Sequence, residues 1–231
     1  MRGFLYGCVM PSRMPARLPH PSGPRILAQV EYRHAGDATR RTAALLLARK
    51  FRNCAALLKR ALPYHRRYPA RARVLAASIA SLERAARPAV SAPPQRLASA
   101  FLAEARATRA YWRGVRALLA CHDPRWARRY PRASDPLNIL LNTGYTFLAR
   151  WLHEEIVRAG LLPEIGLLHA TRRGKDPLVY DLMELFRQPV VDAVVVPLCT
   201  KKKRVLEQVR ECDMRRAVAA FHAQWEKPFW Y

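Results

Sequence analysis

Along most of the chain apolar residues return at intervals of three and four, the spacing that lines one face of an α-helix, and prolines or glycines mark where each run stops. Residues 1 to 25 carry Pro11, Pro15, Pro19, Pro21 and Pro24 with Gly23 and show no such period, so they read as an extended lead or a leftover strand. From Asp37, which can cap, Ala44, Leu47, Phe51, Cys54 and Leu58 define a first long helix ending before Pro63. A second helix covers 70–86 and stops at Pro88. A third opens after Pro93 and Pro94, runs to Ala120, and has the stripe Leu97, Phe101, Glu104, Thr108, Tyr111, Val115 and Leu118. The fourth starts at Asp135 with Pro136 in its first position and extends to Ala159, where Gly160 supplies the stop. Its core side is Leu137, Leu141, Leu148 and Leu152, while Asn138, Asn142 and Tyr145 gather polar groups on another side. Asp176 and Pro177 read as cap and first residue of a fifth helix. Residues 190–198 are a short apolar segment that pattern alone leaves between helix and strand, and a basic helix over 200–221 follows. The predicted fold class is mainly α.

Three features of this pattern carry chemistry. Glu104 stands in an apolar stripe, where an unpaired carboxylate costs several kcal/mol, so a cation should meet it: an arginine from a neighbouring helix, or a metal ion. Asp181 and Glu184 are three positions apart on one short helix and project from the same side, able to converge on one ion. His169 lies in a Gly-bounded loop just before them. The basic loop 124–131 sets Trp126 and Tyr130 among arginines, an arrangement that can stack on bases and grip phosphates or can simply anchor a loop.

Charge narrows the choice of partners. Of the 231 residues, 41 are Lys or Arg and 17 are Asp or Glu, a formal charge of +24, which points to a polyanion: RNA, DNA or an anionic membrane surface. The excess lies in the first part, with 27 basic against 5 acidic residues up to position 133 and 14 against 12 beyond it. A hydrophobic content of 51% excludes general disorder. The five cysteines, Cys8, Cys54, Cys121, Cys199 and Cys212, are scattered with no CxxC, against a disulfide framework or structural zinc and in keeping with a reducing cytoplasm. No apolar run approaches the ~18 residues of a membrane span.

Residues NILLNTGYTFL (from Asn138), AGLLPEIGLLH (to His169) and LVYDLMELFRQPVVD (to Asp192) resemble the C-terminal domain of the CRISPR adaptation integrase family, the first-numbered Cas protein, which inserts new spacers into a CRISPR array. Upstream, EARATRAYW resembles that family's motif around its first glutamate, and RILAQVEYRHAGDATRRTAALLLARKFRN resembles its linker and first long helix. The resemblance runs from Pro24 to Val196.

It implies a helical catalytic domain over 34–231, preceded by a Pro-rich lead over 1–33 holding at most a remnant of the family's N-terminal β-rich domain. The chain would then be a compact integrase, a fragment whose start lies too late, or a decayed copy. By motif, Glu104, His169 and Glu184 match the family's ligands for Mg²⁺ or Mn²⁺, with Asp181 as an additional catalytic acid and Asn138, Tyr145 and Arg187 as supporting residues. Arg172, Arg173, Lys175, Lys201, Lys202, Lys203 and Arg204 are the expected DNA contacts. The implied partners are double-stranded DNA, as prespacer and repeat, a second copy of the chain in a homodimer, and the small ferredoxin-like second Cas protein; no membrane is implied. The implied activity is transesterification by a DNA 3′ hydroxyl on a repeat phosphodiester. The alternatives are a non-catalytic DNA-binding scaffold and a metal-dependent nuclease without integration.

Overall fold

The computed structural model describes residues 23–87, 97–119, 125–131, 133–170 and 173–201; the side chains of 97–101 and of 201 are not described. Among the described residues seven α-helices follow in order: α1 Gly23–His34, α2 Asp37–His65, α3 Pro69–Ala86, α4 Leu97–Leu119, α5 Pro136–Arg158, α6 Pro177–Phe186 and α7 Ala193–Lys201, with a π-helical stretch, Arg187–Asp192, joining α6 to α7. There is no strand among the described residues, so the mainly α expectation holds. None of these helices is long and apolar enough to cross a membrane. The lead before residue 23, the proline pair ahead of α4 and the expected basic helix beyond residue 201 lie outside the described residues.

The long α2 is the axis of the fold. One of its sides packs on α3 and α4, the other on α6 and the π-helical stretch, which α5 and α7 cover from outside. The expected stripe is buried: Ala44, Leu47, Phe51, Cys54 and Leu58 are each at most 2% exposed. Burying a side chain the size of Leu or Phe is worth about 1.5–3 kcal/mol, so this stripe alone fixes which side of α2 faces inward. Where α4 crosses it, Gly114 lets the backbones close up; a Cβ there would lie 2.5 Å from a Leu58 methyl. The helix continues past Pro63 to His65 instead of ending before it, since a proline in the last turn forfeits one bond without breaking the turns behind it.

α5 begins as its sequence requires. Asp135 is the cap, its carboxylate accepting the Asn138 N–H, and Pro136 occupies the first turn. Gly160 ends the helix with φ at 70°, a left-handed conformation that glycine adopts freely. The segment 190–198, undecided by pattern, is helical, and Pro189 accounts for its widened turn. Proline has no N–H to give the Leu185 carbonyl, the ladder opens into a π-helical stretch, and Asn53 from α2 donates to that carbonyl at 2.8 Å.

The linker stretch 23–34 is helical too. α1 buries no residue and is held by polar side chains: Arg25 donates to the Ala159 carbonyl, Gln29 to those of Leu162 and Ile165, and Arg33 to that of Leu167.

Candidate active site

Glu104 on α4 and Glu184 on α6 come together across α2, far apart in sequence, and Lys50 of α2 lies between them. Its ammonium nitrogen is 2.6 Å from Glu104 Oε1 and 2.6 Å from Glu184 Oε2. The cation that Glu104 was expected to need is thus a lysine rather than an arginine. Arg187 approaches the other oxygen of Glu184 at 3.3 Å. Burial alone would push the Glu184 carboxyl up, but Arg187 and Lys50 outweigh it and hold the group below its ordinary range. Burial would likewise lower Lys50; the facing carboxylates of Glu184 and Glu104 raise it instead. Glu184 and Lys50 are therefore both charged near neutral pH.

His169 is placed by Asp181. The Asp181 carboxylate is fully buried and accepts four hydrogen bonds, from the backbone N–H groups of Leu167 (2.5 Å), Leu168 (3.0 Å) and His169 (3.0 Å) and from His169 Nδ1 (2.6 Å). It thereby folds the loop and fixes the ring, leaving Nε2 as the unengaged nitrogen; a carboxylate on the far nitrogen is the usual way a protein orients a ligating histidine. The bond to Asp181 raises the His169 pKa above its ordinary value, ahead of an opposing effect of burial. Gly166 makes the close approach feasible: a Cβ there would stand 2.7 Å from Pro177 Cβ and 2.9 Å from Asp181 Oδ2. The outer side of this loop is the part gripped by α1.

His169 opens onto a cleft of about 1170 Å³ that Tyr180, Lys175, Tyr145, Arg128 and Arg187 also line. Behind its wall is a buried acid that sequence reasoning missed. Asp192, at the end of the π-helical stretch, accepts from the hydroxyls of Tyr111 and Tyr145, each at 2.6 Å. Burial pushes Asp192 up to about 6, against the opposing pull of the two tyrosines, Arg187 and Arg128. The guanidinium groups of Arg128 and Arg187 lie over the Tyr145 ring, 5.5 and 5.2 Å from its centre. Asn138 sits underneath, donating to the Ala127 carbonyl and accepting from Arg128 and the Arg129 N–H, so it braces the loop that carries Arg128.

The expected site residues therefore separate by place. Glu104 and Glu184 share one cation, His169 and Asp181 are bonded beside them, and Tyr145, Arg187 and Asn138 hold the cleft wall. Trp126 is an anchor, buried and donating to Asp135, whereas Tyr130 is 78% exposed on the same loop. Arg173 and Lys175 are both exposed, and Lys175 lines the cleft. Arg172, Lys202, Lys203 and Arg204 lie outside the described residues, as does the side chain of Lys201.

Among the described residues no three His, Cys, Asp or Glu side chains already stand together at metal-binding spacing. The donor set nevertheless fits a divalent ion: the two carboxylates suit Mg²⁺ or Mn²⁺, and the imidazole favours the softer Mn²⁺ of the two. Lys50 marks the point between the carboxylates as one where the fold places positive charge.

Two acids, an oriented histidine and a basic, aromatic cleft are thus carried by one helical bundle. The chain belongs to the CRISPR associated protein Cas1 family, whose profile matches residues 6–216. It is 43% identical over 98 residues to a CRISPR-associated endonuclease Cas1 of Saccharolobus solfataricus, covering 41% of this chain and 28% of that one. It is 36% identical over 132 residues to another of Thermus thermophilus, covering 54% and 39%. The chain thus spans well under half the length of these relatives.

Among solved structures, a CAS1 protein from Thermotoga maritima superposes with a TM-score of 0.61 at 24% identity, over 80% of this chain and 55% of that one. A partial Cas6-RT-Cas1–Cas2 complex gives 0.66 at 20%, over 90% and 64%. A casposase bound to integration product gives 0.54 at 21%, over 75% and 48%. These likenesses establish a shared helical fold.

Proposed function

We propose that the chain carries the catalytic centre of a metal-dependent DNA integrase that joins spacer DNA to a CRISPR array. The observation that carries this reading is the meeting of Glu104 and Glu184, from separate helices, at one cation position with His169 oriented beside them. A divalent ion held by Glu104, His169 and Glu184 would supply positive charge for the phosphoryl oxygens. The reaction is an exchange of phosphoesters: a DNA 3′ oxygen forms a new bond to the repeat phosphorus, an existing phosphorus–oxygen bond breaks, the attacking hydroxyl loses its proton and the displaced 3′ oxygen gains one.

The rest of the cleft acts on the substrate. Arg128 and Arg187 are held against Tyr145 and aim positive charge at a backbone phosphate, and Arg173 and Lys175 extend that surface outward. Tyr130 and Tyr180, both exposed, offer faces on which a base can stack. Asp181 keeps the His169 proton on Nδ1.

The substrates on this reading are double-stranded prespacer and repeat DNA, the working compartment is the cytoplasm, and the assembly contains two copies of the chain with the small second Cas protein. The solved Cas6-RT-Cas1–Cas2 complex and the casposase bound to integration product that share the fold support that choice. The test is to incubate the protein, alone and with that partner, with 3′-end-labelled duplex and a repeat-bearing plasmid, with Mn²⁺ or with chelator. Metal-dependent transfer of label into the plasmid is expected. Metal-dependent cleavage without joined product would instead support the nuclease, and DNA binding with neither product the scaffold.

A further inference from the structure

We propose that Lys50 is a tethered counter-cation: it closes the Glu104–Glu184 pair when no metal is bound, and its displacement sets how tightly a divalent ion is held. This rests on the metal reading above and assigns a positioning role to a residue outside the ligand set.

The side chain of Lys50 is 7% exposed and its nitrogen is equidistant, at 2.6 Å, from one oxygen of each acid. No other ion pair to Glu104 is made by the described residues. Without the lysine, Glu104 and the buried Glu184 would face each other across α2 with Arg187 alone to offset them, and like charges at such range repel strongly in a partly desolvated site. The ammonium therefore holds the acids in register before any ion arrives.

The same geometry makes it a competitor. An ion bridging Glu104 and Glu184 needs the space the ammonium fills, and two cations so close together repel. Entry of the ion requires the lysine to withdraw, which its four-carbon stem allows. The work of breaking two buried ion pairs is subtracted from the binding of the metal. A neutral side chain of similar length removes this opposition and leaves two under-compensated acids that only the ion can satisfy.

The experiment compares wild type with Lys50→Gln by titrating Mn²⁺ and following the free ion by electron paramagnetic resonance, with melting temperatures measured with and without Mn²⁺. The variant should melt lower without metal, gain more on adding it, and bind Mn²⁺ about tenfold more tightly or better. Equal or weaker binding by the variant overturns the role of Lys50 and leaves the metal reading standing. Absence of Mn²⁺ binding by both proteins overturns the metal reading and the proposal together.

Should the variant fail to fold, wild type carries the test through acetylation followed by peptide mass spectrometry. Lys50 should react faster with Mn²⁺ present while the exposed Lys59 and Lys175 react at unchanged rates. An unchanged Lys50 rate overturns the proposal.

Discussion

Replacing Asp181 by Asn alters neither size nor shape, yet it should damage both the His169 loop and the proposed metal site. One carboxylate oxygen accepts from Leu167 N and Leu168 N, the other from His169 N and His169 Nδ1. Whichever way the amide is turned, its NH₂ faces two donors. Leaving a buried donor unsatisfied costs about 1–3 kcal/mol, so the pair amounts to roughly 2–6 kcal/mol. For a domain of this size that is a fall in melting temperature of about 5–15 °C. In the orientation that turns the NH₂ toward His169 the imidazole adapts instead: an amide that donates to Nδ1 drives the proton to Nε2, the nitrogen a metal would need bare, and leaves one donor rather than two unsatisfied. Loss of such an orienting partner typically weakens metal binding about 10–100-fold. Thermal melting and Mn²⁺ titration of Asp181→Asn measure the two effects separately. A variant that melts with wild type and binds Mn²⁺ equally would show that the Asp181 carboxylate neither holds the loop nor orients the ring.

Asp192 gives a pH signature. Burial raises its pKa from 3.8 to about 6, so between these values the unfolded chain releases the proton while the folded chain keeps it. Stability should therefore fall as pH rises through that window, by on the order of 3 kcal/mol, and level off above it. The difference in melting temperature between wild type and Asp192→Asn should change from pH 4 to 6 and be constant beyond; parallel curves would show that the carboxyl titrates normally. Gly166→Ala forces a Cβ against Pro177, Asp181 and the His169 carbonyl and should cost about 1–3 kcal/mol together with most of the strand-joining activity, read by melting and by the plasmid assay. Gln29→Ala removes its bonds to Leu162 and Ile165 and should lower stability by about 1–2 kcal/mol while speeding amide exchange across the loop before His169; unchanged exchange would mean that α1 does not hold the loop.

Much of the scaffold was readable because its signals are local. Helical spacing, the Asp135–Pro136 start and the Gly160 stop depend on residues within a turn or two of one another, and the structure reproduces them. The oddity of Glu104 in its stripe was also readable, but its partner was not sought in the right place. Lys50 lies three residues after Leu47 and four before Cys54, inside the buried stripe of α2, so a lysine in one apolar stripe and a glutamate in another were two halves of one ion pair. Asp192, a single acid between Val191 and the run of valines from Val194, carried the same signal. What no local pattern announced is the work of backbone carbonyls: α1 grips the loop through carbonyls of Ala159, Leu162, Ile165 and Leu167, and Asn53 takes the one that Pro189 leaves without a donor. Those partners are more than 130 residues apart in sequence, and only the packing of α2 brings them into reach.

On the function proposed above, Glu104, His169 and Glu184 jointly hold a divalent ion for exchange of phosphoesters. The most direct measurement of this joint role is transfer of a labelled 3′ end into a repeat plasmid in Mn²⁺ by wild type and by Glu104→Gln, His169→Ala and Glu184→Gln, each first shown to be folded by circular dichroism. Wild type should join the strands, and every one of the three substitutions should reduce joining to background while DNA binding persists. Joining at the wild-type rate by any one of them would contradict that role.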